Sequence, residues 1–419
     1  MKSILISAYA CAPDHGSEPG MGWNWAISLA RYCKVHVITE GEWRVQIEAA
    51  LQELPQRENI TFYYSPVSER VRAMCRNQGD WRFYLYYRRW QRRTLGIARR
   101  IMAENDIDIV HQLNMIGFRE PGFLWKIADR PFVWGPIGGI GSFPAAYLRG
   151  AALKMRLFML TKNFISALQL RFSPRVRKAV CRADVLLGAM SGVARHIGRR
   201  EVVVMNETGS WPVVCLTEDQ VGRFAGSGFD ILWVGKFDFR KQLQLALKII
   251  AQVRELAGLR FHIVGSGYKE QEAGYKRLAA EIGIEKLCLW HGQVEHGEAL
   301  RLMQSSQLLL FTSLSEGTPA VVLEAVGNRL PVVCFDACGM GDVVDRRIGV
   351  KVPVRGPDDS VRRFAEAIRA LHGDRERLQK MSDAATARAE ELSWDNKARL
   401  MVDLYDEAAA NFDKRCKRR

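Results

Sequence analysis

The stretch Ser315-Glu-Gly-Thr-Pro-Ala-Val-Val-Leu-Glu-Ala325 combines a turn with the start of a helix. Gly317, Thr318 and Pro319 favour the turn, and residues 320–326 read as the first turns of the helix. The free N–H groups at a helix start, reinforced by the helix dipole, form a site for anions. An apolar strand pattern at 307–312 precedes the turn. The stretch therefore predicts a strand–turn–helix unit of an α/β fold with an anion site at its turn.

Two carboxylates flank this helix start. Glu316 lies just before the turn, and Glu324 follows about two helical turns later, since a helix rises ~1.5 Å per residue. Carboxylates accept hydrogen bonds from hydroxyl groups, so the pair suits a ligand with a diphosphate between two sugars, such as a nucleotide sugar. Two solvated glutamates at a helix edge are the alternative. The turn between them and the preceding strand favour the ligand site.

The chain resembles glycosyltransferase family 4, a group of enzymes with the GT-B fold, over most of its C-terminal half. The family signature of two glutamates in a turn and helix, followed by a Pro-Val-Val strand, is similar to residues 316–333. Residues 232–241 resemble the strand, glycine and basic pair that hold the donor diphosphate. Residues 261–267 resemble the next strand and glycine turn, and residues 393–405 resemble the closing helix. The resemblance implies two Rossmann-like doubly wound domains that face a cleft, with a C-terminal crossover helix.

The same resemblance implies which residues hold the donor. Lys241 and Lys236 would stabilise the negative charge that develops on the leaving phosphate, although the family usually has arginine at the position of Lys236. Two surface lysines are the alternative. Glu316 would contact hydroxyls of the donor sugar, and Glu324 would contact the ribose. Further donor contacts are expected from Gly235, Gly317, Thr318, Pro319, Ala320, Gln293 and Val294.

The loop after the first strand contains closely spaced glycines. Gly20 and Gly22 permit a close approach of the backbone, and family members have a glycine pair here, near the donor diphosphate and the acceptor. An ordinary loop is the alternative. The position directly after the first strand favours a functional loop.

One family feature is absent. Many members carry a histidine after the strand that matches 132–134, whereas this chain continues with Gly135-Pro-Ile-Gly-Gly-Ile-Gly141. His111, at the end of the strand 107–111, is a candidate replacement, and a strand-end histidine held by hydrogen bonds is the alternative. The D-x-D pattern at Asp106 and Asp108 precedes a strand, and we interpret it as a cap and loop.

Length and element order predict two domains. A chain of 419 residues is long for one ordinary core, and strands alternate with helices in both halves. We predict an N-terminal Rossmann-like domain for the acceptor at 1–205 and an interdomain linker at 206–228. A nucleotide-sugar-binding domain at 229–392 and a crossover helix with a basic tail at 393–419 follow.

Composition argues against several classes of protein. The nine cysteines are scattered and odd in number, which fits reduced thiols in a cytoplasmic enzyme, and no C-x2-C pair supports zinc. We interpret His291 and His296 as loop histidines. The chain begins on a strand pattern without a signal peptide's features, and it has no apolar run of about 18 residues. We expect no metal, no cofactor other than the donor substrate, and no nucleic-acid partner, since no binding-module pattern occurs.

The net charge of +15 is concentrated in two stretches. Residues 69–100 hold ten arginines against two acidic residues, and residues 149–182 hold nine lysines or arginines and no acidic residue. Both stretches interleave these with large apolar or aromatic residues, as an interfacial helix on anionic lipid requires. A solvated basic face with its apolar residues packed inward is the alternative, and the aromatic residues of 69–100 would also suit an acceptor groove.

These features predict a metal-independent glycosyltransferase, and the resemblance to the family implies that it retains the anomeric configuration. It would move a sugar from a nucleotide sugar to a lipid-linked or other glycan acceptor in bacterial surface polysaccharide biosynthesis. It would be cytoplasmic and peripheral on the inner face of the plasma membrane, with an anionic membrane surface as partner. One alternative is a GT-B-fold sugar-nucleotide epimerase, which would leave the basic surfaces unexplained. The other is a non-catalytic protein that binds membranes or nucleic acid with a relict donor cleft, against which the intact glutamate pair argues.

Overall fold

The computed structural model describes residues 1–77, 80–149, 151–198, 201–210, 213–215 and 217–417. The chain forms two units. The first comprises Met1–Gly141, Lys162–Thr208 and Trp394–Arg419, and the second comprises Ser142–Thr161 and Gly209–Ser393. Each unit contains a parallel sheet with helices, which confirms the predicted α/β class with two Rossmann-like domains.

The sheet of the first unit is parallel throughout its described strands. Their order across the sheet is the third, second, first, fourth, fifth, sixth and seventh in sequence, so the order reverses beside the first strand. Such a reversal is where ligands bind in open α/β sheets, at the carboxyl ends of the strands. The strands are β1 (Ser3–Ala8), β2 (Lys34–Thr39), β3 (Ile60–Tyr64), β4 (Ile109–Asn114), β5 (Phe132–Ile137), β6 (Val185–Gly188) and β7 (Val203–Val204).

Helices connect these strands, as parallel pairing requires. The connection between β5 and β6 includes Ser142–Thr161, which belong to the second unit, and it returns to the first unit at Lys162. The helices are α1 (Ser17–Leu29), α2 (Arg44–Glu53), α3 (Glu69–Arg76), α4 (Phe83–Glu104), α5 (Leu153–Phe172), α6 (Pro174–Arg182) and α7 (Val193–Ile197). Within the described residues, no helix is both long enough and apolar enough to cross a bilayer.

The two basic stretches differ in how they pack. In α4 the aromatic residues Phe83, Tyr87 and Trp90 are buried, and all three rings contact Tyr9. The inward-packing alternative therefore accounts for these three aromatic residues. Trp81 and Tyr84 are 69% and 44% exposed, so the membrane interpretation of 69–100 stays a prediction. In α5, by contrast, Met159 is the buried residue.

The second unit repeats the same topology. Its sheet order is the third, second, first, fourth, fifth and sixth strand of the unit, all parallel. The strands are β8 (Phe229–Val234), β9 (Leu259–Val264), β10 (Cys288–Gly292), β11 (Leu308–Phe311), β12 (Val332–Phe335) and β13 (Gly349–Val352). The helices are α8 (Glu218–Val221), α9 (Leu243–Gln252), α10 (Lys269–Glu281), α11 (His296–Ser305), α12 (Ala320–Gly327), α13 (Cys338–Val343), α14 (Pro357–His372) and α15 (Arg375–Glu391).

The segment 142–161 lies in the second unit, although the sequence analysis counts it with the N-terminal domain. Phe143, Tyr147 and Met159 belong to the hydrophobic core of the second unit, and the Tyr147 hydroxyl lies 2.5 Å from Ser360 Oγ. The predicted linker 206–228 includes residues 211, 212 and 216, and the predicted tail includes residues 418 and 419, which lie outside the described residues.

The last helix, α16 (Trp394–Lys417), belongs to the first unit, as the predicted crossover requires. The Trp394 ring packs edge-on against Trp25 at a centroid distance of 5.7 Å. Asp395 accepts a hydrogen bond from the Tyr32 hydroxyl at 2.9 Å. Tyr405 is fully buried in the core of the first unit. The chain therefore returns to its first sheet after completing the second.

Candidate active site

The centre of the second sheet positions the candidate donor site. Strands β8 and β11 are neighbours, so the segments that follow them lie at the same edge of the sheet. Thr312 Oγ donates a hydrogen bond to the Lys241 carbonyl at 2.8 Å, and Leu314 N donates to the Arg240 carbonyl at 2.9 Å. These bonds fix the basic loop after β8 against the segment after β11.

Lys241 and Glu316 form an ion pair in this place. Lys241 Nζ lies 2.6 Å from Glu316 Oε1, and the two side chains are 20% and 17% exposed. The Ser313 hydroxyl donates to the same carboxylate oxygen at 2.5 Å. The structure thus brings together two of the three residues predicted to be catalytic. Partial burial strengthens the field of the ammonium group relative to a solvated lysine.

The start of α12 lies next to this pair in sequence. Pro319 precedes the helix, and its carbonyl accepts the hydrogen bond of Val322 N at 3.0 Å. The amides of Ala320 and Val321 come before that first helical bond and therefore have no acceptor within the helix. The Gly317 carbonyl accepts from Gly339 N at 3.0 Å, and a Cβ on Gly339 would lie 2.4 Å from that oxygen. The turn is thus tightly supported and leaves a helix start suited to an anion.

Glu324 lies on α12 and contacts His296, which was interpreted from the sequence as a loop histidine. Glu324 Oε1 is 3.2 Å from His296 Nε2. The interpretation of His296 as a loop histidine is wrong, because it is the first residue of α11. His291 was also interpreted as a loop residue but lies in β10. His296 and Glu324 are 28 positions apart in the sequence and meet only in the folded chain, so no local pattern could have found this pair.

The other predicted donor residues follow strands at the same edge of the sheet. Lys236 follows β8 and is exposed. Gly235 packs closely on the Trp233 ring, since a Cβ added at this position would lie 3.2 Å from it. Gln293 accepts a hydrogen bond from the Ser266 hydroxyl at 3.3 Å, and Val294 is half-buried against the core. Their contacts with a donor stay a prediction.

Arg240, a second basic residue, is adjacent to Lys241 in the sequence and was not predicted to be part of the site. The Arg240 guanidinium lies 2.6 Å from Asp238 Oδ2 and binds both carboxylate oxygens. Burial opposes ionisation of Asp238, but the bonds from Arg240 outweigh it and hold the pKa of Asp238 below its ordinary value. Arg240 is thus paired with Asp238, whereas Lys241 is the cation that pairs with Glu316.

In the first unit, the start of α1 is tightly built, and it contains Gly20 and Gly22, which were predicted to lie in the loop before the helix. A Cβ on Gly20 would lie 1.8 Å from the His15 carbonyl oxygen, and one on Gly22 would lie 2.3 Å from the Ala10 carbonyl oxygen. Both glycines are therefore required for the first turns of α1 to pack on their neighbours. Their proximity to donor and acceptor stays a prediction.

The first turn of α1 also holds a buried carboxylate, that of Glu18. Glu18 Oε1 accepts a hydrogen bond from Ile116 N at 3.1 Å, whereas Oε2 is buried without a partner among the described residues. Burial raises the pKa of Glu18 to about 7, and nearby Glu207 adds to the rise while the bond from Ile116 N opposes it. No sequence pattern distinguished Glu18 from the other polar residues of the predicted loop.

Glu18 predicts a pH dependence of stability. The unfolded chain loses this proton near the ordinary value of 4.5, whereas the folded chain keeps it until about 7. The stabilisation of the folded state by the protonated Glu18 is therefore fully present below about pH 4.5, and it is lost as the pH rises towards 7. We expect the free energy of unfolding of the wild type, relative to Glu18→Gln, to be higher at pH 5 than at pH 8. Urea unfolding at both pH values measures this, and a difference independent of pH would contradict it.

His111 is held by two hydrogen bonds in the first unit. Its Nδ1 lies 2.8 Å from the Tyr405 hydroxyl and its Nε2 lies 2.7 Å from the Gly135 carbonyl oxygen. The ring is 0% exposed, and burial lowers the pKa of His111 to about 4. These contacts match the alternative of a strand histidine held by hydrogen bonds, and a role of His111 as the replacement histidine stays a prediction. Asp108 accepts from Ser3 N at 2.7 Å, as a cap does.

Comparison with known proteins finds a family model that is similar to part of the second unit. Residues 216–388 match the model of the family "Glycosyl transferases group 1". The chain is 30% identical over 148 residues to D-inositol 3-phosphate glycosyltransferase of Nocardia farcinica, over 35% of this chain and 32% of that protein. It is 24% identical over 176 residues to an uncharacterised glycosyltransferase of Methanocaldococcus jannaschii, over 42% of this chain and 44% of that protein. The chain thus spans less than half the length of these relatives.

Solved structures resemble nearly the whole chain. Anabaena HepE in complex with UDP is 12% identical with a TM-score of 0.61, over 97% of this chain and 100% of that one. The lipopolysaccharide outer core galactosyltransferase WaaB is 15% identical with a TM-score of 0.60, over 95% and 98%. Sucrose-phosphate synthase of Thermosynechococcus elongatus is 14% identical with a TM-score of 0.59, over 98% and 100%. The chain therefore has the GT-B fold, and its residues 216–388 match the model of the glycosyl transferases group 1 family.

Proposed function

We propose that this protein is a glycosyltransferase that takes a sugar from a nucleotide sugar held by the second unit. The observation that carries the proposal is the Lys241–Glu316 ion pair beside the open start of α12. A helix start and an ammonium group bind phosphate, and a carboxylate accepts hydrogen bonds from sugar hydroxyls. The UDP complex of HepE and the family match of residues 216–388 support a nucleotide-sugar donor.

Each of these groups would have one task in sugar transfer. The amides of Ala320 and Val321 would hold the diphosphate, and Glu316 would orient the sugar through its hydroxyls. Lys241 would stabilise the negative charge that grows on the leaving phosphate oxygen as the bond to the sugar breaks. In the proposed retaining, metal-independent reaction, that phosphate takes the proton of the attacking acceptor hydroxyl. No side chain is then needed as a nucleophile.

A panel of nucleotide sugars tests this proposal. Thermal shift identifies the donor, since a ligand at a hundredfold excess over its Kd adds roughly 2.7 kcal/mol to the free energy of unfolding. UDP-glucose belongs in the panel because HepE has been solved with it. Release of the nucleoside diphosphate is then measured in EDTA. Release in EDTA supports the proposal, a strict need for a divalent metal contradicts metal independence, and an epimerised donor without release would favour the epimerase.

We propose further that the acceptor is lipid-linked and that the protein works at the cytoplasmic face of a membrane. The support lies in α5, whose large apolar side chains are exposed beside the basic residues Lys154 and Arg156. The exposed fractions are 80% for Leu153, 65% for Leu157, 60% for Phe158, 64% for Phe164 and 62% for Phe172. Such a helix suits anionic lipid. The name of WaaB supports surface polysaccharide synthesis as the pathway class.

Charge reversal in this helix tests the membrane proposal. Each lysine or arginine near an anionic surface contributes ~1 kcal/mol, so reversing Lys154, Arg156 and Lys162 to glutamate is expected to weaken binding to anionic vesicles by at least about 100-fold. Sedimentation with anionic and neutral vesicles measures the effect. The control reverses Lys248, Arg254 and Lys286 in the second unit, with the same change in net charge. Equal loss in both variants, or equal binding to neutral vesicles, would contradict docking through α5.

The acceptor class is tested with the donor in hand. The relatives named D-inositol 3-phosphate glycosyltransferase make D-inositol 3-phosphate the soluble comparison. Transfer to a lipid-linked glycan in vesicles and not to D-inositol 3-phosphate is the expected result. The reverse preference would overturn the lipid-linked acceptor and leave the donor proposal intact.

A further inference from the structure

Helix α6 in the first unit separates two cavities of different chemistry. One cavity, of about 490 Å³, is lined by cationic side chains, and the other, of about 420 Å³, is lined mainly by aliphatic ones. Cys181, exposed near the end of α6, lines both cavities. Neither cavity contains a residue assigned above to the donor site.

The cationic pocket carries an excess of positive charge. Its charged lining residues are Lys126, Lys178, Arg182 and Arg415, and Trp125 forms part of its wall. Asp184, which is buried, balances the two arginines in part: its carboxylate lies 2.7 Å from Arg182 and 3.2 Å from Arg415. Lys126 and Lys178 are exposed, and no ion pair engages either of them within the part of the chain that the structure describes. Two ammonium groups beside a partly neutralised arginine pair suit a phosphate group.

The apolar groove lies on the other side of Cys181. It is lined by Leu170, Val176, Val180 and Ile197, with Arg177 as its charged member. Leu170 is a residue of α5, so the groove continues the helix that is proposed above to contact lipid. Leu168 and Phe172 are exposed on that helix, two residues to either side of Leu170. A hydrocarbon chain entering along α5 would therefore meet apolar surface as far as the groove.

We propose that the cationic pocket and the apolar groove together bind one anionic lipid, with its phosphate between Lys126 and Lys178 and its chain along Val176 and Val180. The shared wall at Cys181 places headgroup and chain on adjoining sides of α6, as a single amphiphile requires. The proposal rests on the proposed contact of α5 with anionic lipid. The cationic pocket lies beside residues that precede β5 and β6, at the amino ends of these strands, so the lipid bound there would hold the protein on the membrane and is not the acceptor. A free phosphate would use one cavity alone, and so would an uncharged chain.

Alkylation of Cys181 by a maleimide, followed by mass spectrometry, measures occupancy. The probes are decyl phosphate, decanol and inorganic phosphate, and exposed Cys215 in the second unit is the internal control. Since the lipid combines charge-assisted bonds with burial of its chain, we expect decyl phosphate at saturation to slow alkylation of Cys181 at least about tenfold. Cys215 should react at an unchanged rate. Equal protection by inorganic phosphate, equal protection by decanol, or no protection would overturn the proposal.

Matched variants test the assignment of residues. Lys126→Gln with Lys178→Gln is expected to raise the decyl phosphate concentration for half-protection at least about tenfold, because both charge-assisted bonds are lost. Ile197→Asn, in the groove, is expected to raise it as well. Lys248→Gln with Arg254→Gln, at a groove of the second unit, should leave it unchanged. Unchanged protection in the first two variants would overturn the site. Donor release in EDTA is read separately, so failure of this proposal and failure of the proposed function are distinguishable.

Discussion

Replacing Lys241 with methionine is expected to lower kcat for donor turnover by about 10² to 10³, the effect of removing one preorganised group that stabilises developing charge. Methionine keeps much of the apolar stem but removes the ammonium group that lies 2.6 Å from Glu316. Because the negative charge on the leaving phosphate grows as the reaction proceeds, the loss should appear mainly in kcat and less in KM. Steady-state release of the nucleoside diphosphate measures both constants.

The matched control is Lys248→Met, which removes an exposed lysine from α9 in the same unit. A double-mutant cycle with Glu316→Gln adds a second criterion. Since the two side chains contact each other, the combined variant should lose less activity than the sum of the two single losses. A Lys241→Met enzyme with wild-type kcat, or losses that simply add, would contradict the assignment of this pair to one site.

Replacing Asp184 with alanine is expected to lower the free energy of unfolding by about 3 to 5 kcal/mol, because one member of a buried charge group is removed. Asp184 is 3% exposed and lies between Arg182 and Arg415, and its Oδ2 also accepts a hydrogen bond from Phe132 N at 2.8 Å. The variant leaves two guanidinium groups and one strand amide without this acceptor. Urea unfolding measures the change.

Glu272→Ala is the control for Asp184→Ala. Glu272 pairs with Lys276 at 2.8 Å on the exposed face of α10, and such a pair contributes about 0.5 kcal/mol or less. The loss in the free energy of unfolding is expected to be clearly larger for Asp184→Ala than for Glu272→Ala. Similar small losses would mean that the buried group around Asp184 does not hold the strand and the helices together as described.

Local patterns in the sequence predict the donor segment well. The strand expected at 307–312 is observed as β11, and the helix expected from residue 320 begins at Ala320. Both follow from short-range chemistry: an apolar run that a parallel sheet buries on both faces, and a proline that precedes a helix start. The doubly wound topology follows from the alternation of strands and helices, because parallel strands need crossover connections and these are usually helices.

Contacts between distant residues were not predictable in this way. His111 bonds to Tyr405, 294 residues away, and Glu18 bonds to Ile116, 98 residues away. The same holds for residues 142–161, which join the second unit through Tyr147 and its neighbours. Burial and partners decide whether a histidine or a carboxylate reaches a substrate, and both are properties of the tertiary fold. The sequence shows the residue types but not these partners.

The central claim is that the turn between β11 and α12, together with the loop after β8, holds the nucleotide-sugar donor. Hydrogen exchange of the wild-type chain, with and without the donor that gives the largest thermal shift, tests it most directly. At saturation, we expect amides in 317–323 and 235–241 to exchange at least about tenfold more slowly, because bound ligand suppresses local opening. Unchanged exchange in both segments of a protein saturated with donor would contradict the claim.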